Sequence, residues 1–178
     1  MRVLFIGDIV GKPGRSAVVD KLPFFKERNN IDFVIANGEN AAGGFGITPD
    51  VAQEIIGVGV DVITMGNHTW NRKEIKEIID EEYIIRPANY PAGVEGKGFN
   101  IYERKEGKIA VISLLGRVYL SLLECPFRTV SNILDSLKNK TDLIIIDMHA
   151  EITSEKVAMG WFLDGKVSAV IGTHTHVQ

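Results

Sequence analysis

The sequence predicts an α/β fold with a mostly parallel main sheet, and three observations carry that expectation. Short runs rich in β-branched residues recur along the chain. Segments with helical apolar spacing separate them, and turn formers break the rhythm once, over 84–107.

The runs are RVLFIG at 2–7, DFVIAN at 32–37, DVITMG at 61–66, KIAVISLLG at 108–116, DLIIIDMH at 142–149 and VSAVIG at 167–172. Each is near-continuously apolar, as strands are when both faces of a sheet are covered. A helix is expected over 14–28, interrupted at Pro23, and another over 48–57, where Thr48 and Pro49 read as N-cap and first-turn proline. Residues 71–80, 127–139 and 153–164 read as further helices, the charge-rich stretch 71–82 being a solvated face with i,i+4 pairs. Alternation of strand and helix implies right-handed parallel crossovers. Within 84–107, RPANYPAGVEGKG is rich in turn formers. The following GFNIYERKEGKIAVISLL reads as two antiparallel strands turning at Glu106-Gly107, beside or opposite the first sheet. No repeat, low-complexity tract or linker divides the chain, so residues 1–178 are expected to form one domain.

A hydrophobic content of 45% and a charged content of 24% are those of an ordinary globular protein. The net charge of −3 argues against a broad basic surface for indiscriminate capture of nucleic acid, while leaving room for a local positive site. Cys125 is the lone cysteine, which excludes an intramolecular disulfide, and MRVLFIGDIV is too short an apolar stretch for a signal peptide or membrane span. The expected location is a reducing cytoplasm, with no membrane partner.

Each main apolar run is followed at once by residues able to ligate a metal. These are Gly7-Asp8, Gly38-Glu39-Asn40, Gly66-Asn67-His68, Asp147-Met148-His149 and His174-Thr175-His176, a set that contains all four histidines. In a parallel α/β sheet the carboxyl ends of the strands share one edge, where sites form, so five segments are expected to converge there. His174 and His176, at i and i+2 in extended chain, are expected to project to the same side. Imidazole, carboxylate and amide oxygen without thiolate suit borderline divalent ions such as Mn²⁺, Fe²⁺, Zn²⁺ or Co²⁺. The donors Asp8, Glu39, Asn40, Asn67, His149, His174 and His176 exceed the needs of one ion. Two ions roughly 3.5–4 Å apart, sharing a bridging carboxylate, would use them all, and such pairs act in displacement at phosphorus.

The order GD, GEN, GNH, a strand-end His and GTHTHV resembles the calcineurin-like metallophosphoesterases, specifically their YmdB-like branch of 2′,3′-cyclic-nucleotide phosphodiesterases. The resemblance extends from FIGDIVGKPGR through NGENAAGGFGIT and TMGNHTWN to GTHTHVQ. It implies an αββα sandwich and two divalent ions, iron or manganese ahead of zinc or cobalt. One ion would be held by Asp8, Glu39, Asn40 and His176, the other by Glu39, Asn67, His149 and His174, with Glu39 as the bridge. His68 would stay off the metals as general acid. The implied substrate is a small phosphodiester such as a 2′,3′-cyclic nucleotide, attacked by a hydroxide bridging the ions with no covalent enzyme intermediate. An RNA-related ligand and a homo-oligomer are compatible with the same reading. Two departures accompany it. The wider superfamily opens with Asp-x-His where this chain has Asp8-Ile9-Val10, leaving Asn40 to fill the gap. Relatives also run on past His-x-His, so the second sheet is expected to be incomplete and the carboxyl-terminal part of the domain absent.

Plainer readings compete at each position. Asp8 can cap the following helix, Asn67-His68 can be turn residues, and His149 alone more often reads as a hydrogen-bonded interior histidine. The glycine-rich AAGGFGI at 41–47 allows Phe45 either to stack on a base or to fold inward, and Lys12 and Arg15 are candidate phosphate contacts. GDIVGKPG lacks the spacing of a phosphate loop, and Cys125 has no histidine near it in sequence to make it a nucleophile. The competing functions are a phosphomonoesterase at the same ions and a metal-binding regulatory or RNA-associated protein with little turnover.

Overall fold

A computed structural model of the protein describes residues 1–141 and 143–177. The chain runs β1 (Val3–Ile6), α1 (Gly11–Asn29), β2 (Phe33–Asn37), α2 (Pro49–Gly57), β3 (Val62–Thr64), a 3-10 turn (Lys73–Glu77) and β4 (Ile84–Ile85). It continues through β5 (Phe99–Arg104), β6 (Gly107–Leu115), α3 (Pro126–Leu137), β7 (Leu143–His149), α4 (Thr153–Leu163) and β8 (Ala169–Thr173). The expected strand over 142–149 is described from Leu143 onward, Asp142 lying outside the described residues.

The strands form two four-stranded sheets, ordered β1-β2-β3-β4 and β5-β6-β7-β8. All pairings in the first are parallel; in the second only β5 and β6 are antiparallel. The second sheet is present, with four strands. It takes β7 and β8, which strand order along the sequence alone would place beside β1–β3. The hairpin redirects them. Arg104 pairs with Gly107 across Lys105-Glu106, and φ is +124° at Gly107, where a side chain would be strained.

Alternation along the strands builds four layers. On β2, Val34 and Ala36 pack under α1 and α2 with Leu22, Ala52 and Ile55, whereas Phe33 and Ile35 face the other sheet. On β6, Ala110, Ile112 and Leu114 pack under α3 and α4, whereas Ile109 and Val111 meet Phe33 and Ile35 between the sheets. The architecture is therefore an αββα sandwich. Continued two residues at a time toward the strand ends, the inter-sheet face changes character. Ile35 gives way to Asn37, Val62 to Thr64, Val111 to Ser113, Ile145 to Asp147 and His149, and Ile171 to Thr173, all these polar strand-end positions being buried. At the opposite end Asp61 ties the sheets together, 2.9 Å from the Arg104 guanidinium of β5 while accepting the Val34 N–H of β2.

Local departures from the expected elements have local causes. α1 runs through Pro23 because that residue is exposed and water can serve the carbonyl the proline leaves unpaired. The expected helix over 71–80 is a 3-10 turn over Lys73–Glu77 that buries Ile75, with Ile78 and Ile79 buried just beyond it. Thr48 starts α2 without a side-chain cap, Pro49 supplying the first turn. Among the described residues no helix is long and apolar enough to cross a membrane.

Because Phe33 fills the inter-sheet core beside Tyr102 at a 5.4 Å ring separation, Phe33→Ala should lower unfolding free energy by about 3–5 kcal/mol. Urea denaturation checks this, and a loss below about 1 kcal/mol would mean that the two sheets close over the gap.

Candidate metal centre

His149 ends β7 fully buried, and its two ring nitrogens face different tasks. Nδ1 lies 2.9 Å from Thr173 Oγ1, and that hydroxyl donates to Asp147 Oδ1 at 2.5 Å. A hydroxyl has one proton; given to the carboxylate, it leaves the threonine oxygen to accept from Nδ1–H, which turns the Nε2 lone pair the other way. Asp147 itself is fully buried and accepts from Thr64 Oγ1 at 2.5 Å and Asn37 Nδ2 at 3.1 Å. Burial pushes the Asp147 carboxyl above the usual range, against the opposing pull of His149 and these three donors.

Nε2 of His149 lies 2.9 Å from Glu39 Oε1, 3.0 Å from Asn67 Oδ1 and 3.0 Å from His174 Nδ1. His174 is oriented in the same way, its Nε2 2.8 Å from Glu151 Oε2, so that its Nδ1 presents a lone pair inward. Four atoms with lone pairs therefore crowd one small buried volume. Hydrogen bonds cannot satisfy such a set, and a divalent cation can. Gly66 makes the crowding feasible, since a Cβ there would collide with Glu39 Oε2 and come within 2.5 Å of His149 Nε2.

Without a cation, a proton serves instead. Burial depresses the His149 imidazolium, but the Glu39 carboxylate outweighs it and the pKa lies above the ordinary histidine value. Burial likewise raises Glu39, yet His149 and the His68 backbone N–H bring it below the ordinary carboxylate value.

A second group of donors gathers around Asp8 and meets Glu39 through Asn40. The Asp8 carboxylate, 3% exposed, accepts the His174 backbone N–H at 3.1 Å and lies 3.5 Å from His176 Nε2. Asn40 Nδ2 is 3.4 Å from Asp8 Oδ1 and 3.3 Å from Glu39 Oε1. Here the amide turns its nitrogen to the carboxylates; ligation would use the opposite edge of this nearly isosteric group. Asp8 does not cap α1, whose N-cap is Val10 with no side-chain bond.

Glu39 and the six other candidate ligands are thus linked by one set of contacts, drawn from both sheets. His68 stands apart. Its N–H donates to Glu39 Oε2 at 3.0 Å, while its ring packs edge-to-face on Phe45 at 5.0 Å. The geometry of the closing histidines differs from the extended chain expected for them. β8 ends at Thr173, and His174 and His176 take φ of +92° and +54°. The two rings consequently diverge, one to His149 and the other to Asp8. Arg15, read as a phosphate contact, instead pairs with Glu54 at 2.8 Å and donates to the Ala41 carbonyl at 2.6 Å.

The orienting residues Asn37, Thr64, Glu151 and Thr173 escaped the sequence reading, and Asp147, read there only as a strand-end residue able to ligate a metal, takes an orienting place instead. For Asn37, Thr64 and Thr173 a signal existed, since each is a polar residue at an i+2 step on an otherwise apolar strand face. Glu151 carried no such mark.

The family model described as YmdB-like protein matches residues 4–178. The chain belongs to the YmdB-like family. A Bacillus subtilis (strain 168) relative named 2′,3′-cyclic-nucleotide 2′-phosphodiesterase is 49% identical over 179 residues, spanning all of this chain and 68% of its own. A crystal structure of a hypothetical protein from Thermus thermophilus superposes with a TM-score of 0.94 at 44% identity, over 99% of this YmdB-like chain and 69% of the other. A crystal structure described as a novel phosphatase from Mycoplasma pneumoniae gives 0.91 at 36% identity, over 98% and 64%. The chain thus spans about two thirds of the length of these relatives. The NAD nucleotidase of Haemophilus influenzae, 18% identical with a TM-score of 0.68, shares the fold.

Thr173→Val, which keeps the shape and removes the hydroxyl relay, should weaken Mn²⁺ binding about 10–100-fold by calorimetric titration, and unchanged affinity would remove the relay from the site's design. Affinity should also rise with pH, because the proton that Glu39 holds on His149 must leave before a cation enters. Titration in two buffers of different ionisation enthalpy should therefore show proton release, and identical heats in both would contradict the assignment of His149.

Proposed function

We propose that this chain is a dinuclear metal-dependent phosphodiesterase acting on 2′,3′-cyclic nucleotides or similar small phosphodiesters. The broader class follows from its family: it is a phosphoric ester hydrolase. The observation that carries the finer reading is the crowding of Glu39, Asn67 and His174 donors around His149 Nε2, with Asp8 and His176 grouped beside it through the Asn40 contacts to Asp8 and Glu39. The name of the Bacillus relative supplies the substrate class.

In this reading Glu39, Asn67, His149 and His174 hold one ion, and Asp8, Glu39, Asn40 and His176 hold the other. Such ions, iron or manganese ahead of zinc or cobalt, would supply Lewis acidity there, activating water near neutral pH and offsetting charge on the phosphoryl oxygens. Asp8 and Glu39 neutralise two of the four positive charges, so an anionic ester is drawn to a locally cationic site within an acidic chain. His68 is fixed by its backbone bond to Glu39 and keeps its ring at the rim, outside the ligand cluster. That ring would donate a proton to the ribose O2′ as the oxygen of an activated water joins phosphorus and the P–O2′ bond breaks, leaving a 3′-phosphate, and would recover the proton from solvent. The cytoplasm remains the expected location.

Metal content by mass spectrometry, together with hydrolysis of 2′,3′-cyclic AMP and of 4-nitrophenyl phosphate, tests the reading. Two ions per chain and preference for the cyclic diester are expected, with His68→Ala lowering kcat about 10²–10⁴-fold while the metals stay bound. Preference for the monoester would make the chain a phosphomonoesterase. Two bound ions with neither ester hydrolysed would favour a regulatory or RNA-associated protein.

A further inference from the structure

The loop between β2 and α2 is built rigidly around one exposed aromatic ring. Ala41, Ala42 and Ile47 are buried, whereas Phe45 between them is 55% exposed. Two arginines hold the loop from opposite sides. Arg15 of α1 donates to the Ala41 carbonyl at 2.6 Å, and Arg72 donates to the carbonyls of Ala42 at 2.7 Å and Phe45 at 3.0 Å. Backbone bonds from Ala42 N to Gly46 O at 2.9 Å and from Gly44 N to Asn40 O at 3.0 Å close the turn. Gly43, Gly44 and Gly46 have φ of +72°, +95° and +71°, and a Cβ at Gly46 would lie 2.7 Å from Arg72 Cγ.

An exposed phenylalanine on a mobile loop would carry no argument; this one has a backbone fixed by these two sets of hydrogen bonds. It also stands at the rim of the candidate metal centre. Its ring meets the His68 ring at 5.0 Å and 82°, and His68 N–H is bonded to Glu39. In a perpendicular pair His68 covers at most one face of Phe45, so a face remains for a flat ligand.

We propose that Phe45 is the platform on which the base of a nucleotide substrate stacks, and so a specificity-determining residue that favours nucleosidic over base-free phosphodiesters. The inference rests on the phosphodiesterase reading and adds the recognition of the base to it. Stacking of this kind accepts any base, because each presents a π face, and so selects nucleotides without selecting among them. Arg15 and Arg72 act through Phe45 as positioning residues.

Two esters that differ only in the base separate this role from support of His68: 2′,3′-cyclic AMP and the 2′,3′-cyclic phosphate of methyl riboside. With the metal-loaded chain, Phe45→Ala should raise KM for the nucleotide about 5–150-fold, corresponding to ~1–3 kcal/mol of stacking. kcat and the base-free ester should change less than about twofold, and Phe45→Tyr should restore the parent value. Equal losses on both esters, or a loss in kcat, would overturn the inference and make Phe45 a support for His68 while leaving the phosphodiesterase intact. Equilibrium binding gives a second readout: parent protein should bind 3′-AMP more tightly than ribose 3-phosphate, and Phe45→Ala should erase the difference. Equal binding of the two by the parent also overturns it. A metal-loaded parent that hydrolyses neither ester refutes the phosphodiesterase reading, and the platform with it.

Discussion

Too few protons for too many lone pairs is the condition on which the active end of this molecule depends. Glu39 and His149 are buried without solvent, and Asn67 Oδ1 and His174 Nδ1 press on the same imidazole nitrogen at about hydrogen-bond distance. Removing such groups from water costs several kcal/mol each unless positive charge compensates. A proton shared by Glu39 and His149 compensates partly, satisfying one contact of three. A divalent cation would satisfy every donor at once, and this difference makes the cluster a candidate metal site.

The same requirement shapes the interior some distance from the ligands. A buried carboxylate is tolerated where donors surround it, and Asp147 takes Asn37 and Thr64 from the first sheet and Thr173 from the second. These bonds bridge the two sheets at the end where apolar packing stops. The Asp61–Arg104 pair bridges them at the other end. Phe33, Ile35, Ile109 and Val111 fill the space between, so the sheet spacing that positions the ligands is set by contacts of different kinds along its length. Tautomer choice at His149 follows from this scaffold, because Thr173 is both a strand residue and the relay to Asp147.

Local pattern made some of this legible. Six apolar runs became strands, the Glu106-Gly107 turn became a hairpin, and polar residues at the strand exits met around Glu39. Sheet membership was not legible, since a strand covered on both faces reads the same whichever sheet it joins, and its partner lies far away in sequence. β4 was missed because two isoleucines make no pattern. The orienting network was missed because the i+2 polar steps at Asn37, Thr64 and Thr173 mark a buried polar face without saying which carboxylate they serve, and that partner lies far away in sequence.

The closing histidines show where the spacing rule stopped being adequate. Were β8 to continue, His174 and His176 would lie on one face about 6.6 Å apart, two strand rises, with backbone N–H groups committed to a ladder. Instead the backbone turns left-handed at both, a conformation that costs a non-glycine residue free energy and persists only where surroundings over-determine it. The surroundings here do so. His174 N–H is held by Asp8 and its ring by Glu151, while Lys156 Nζ of α4 reaches Thr175 Oγ1 at 3.0 Å between the two histidines. The strained turn separates the rings, sending His174 to His149 and His176 to Asp8. A regular strand would direct both toward one side, so the departure from ideal geometry lets a single short segment reach both His149 and Asp8.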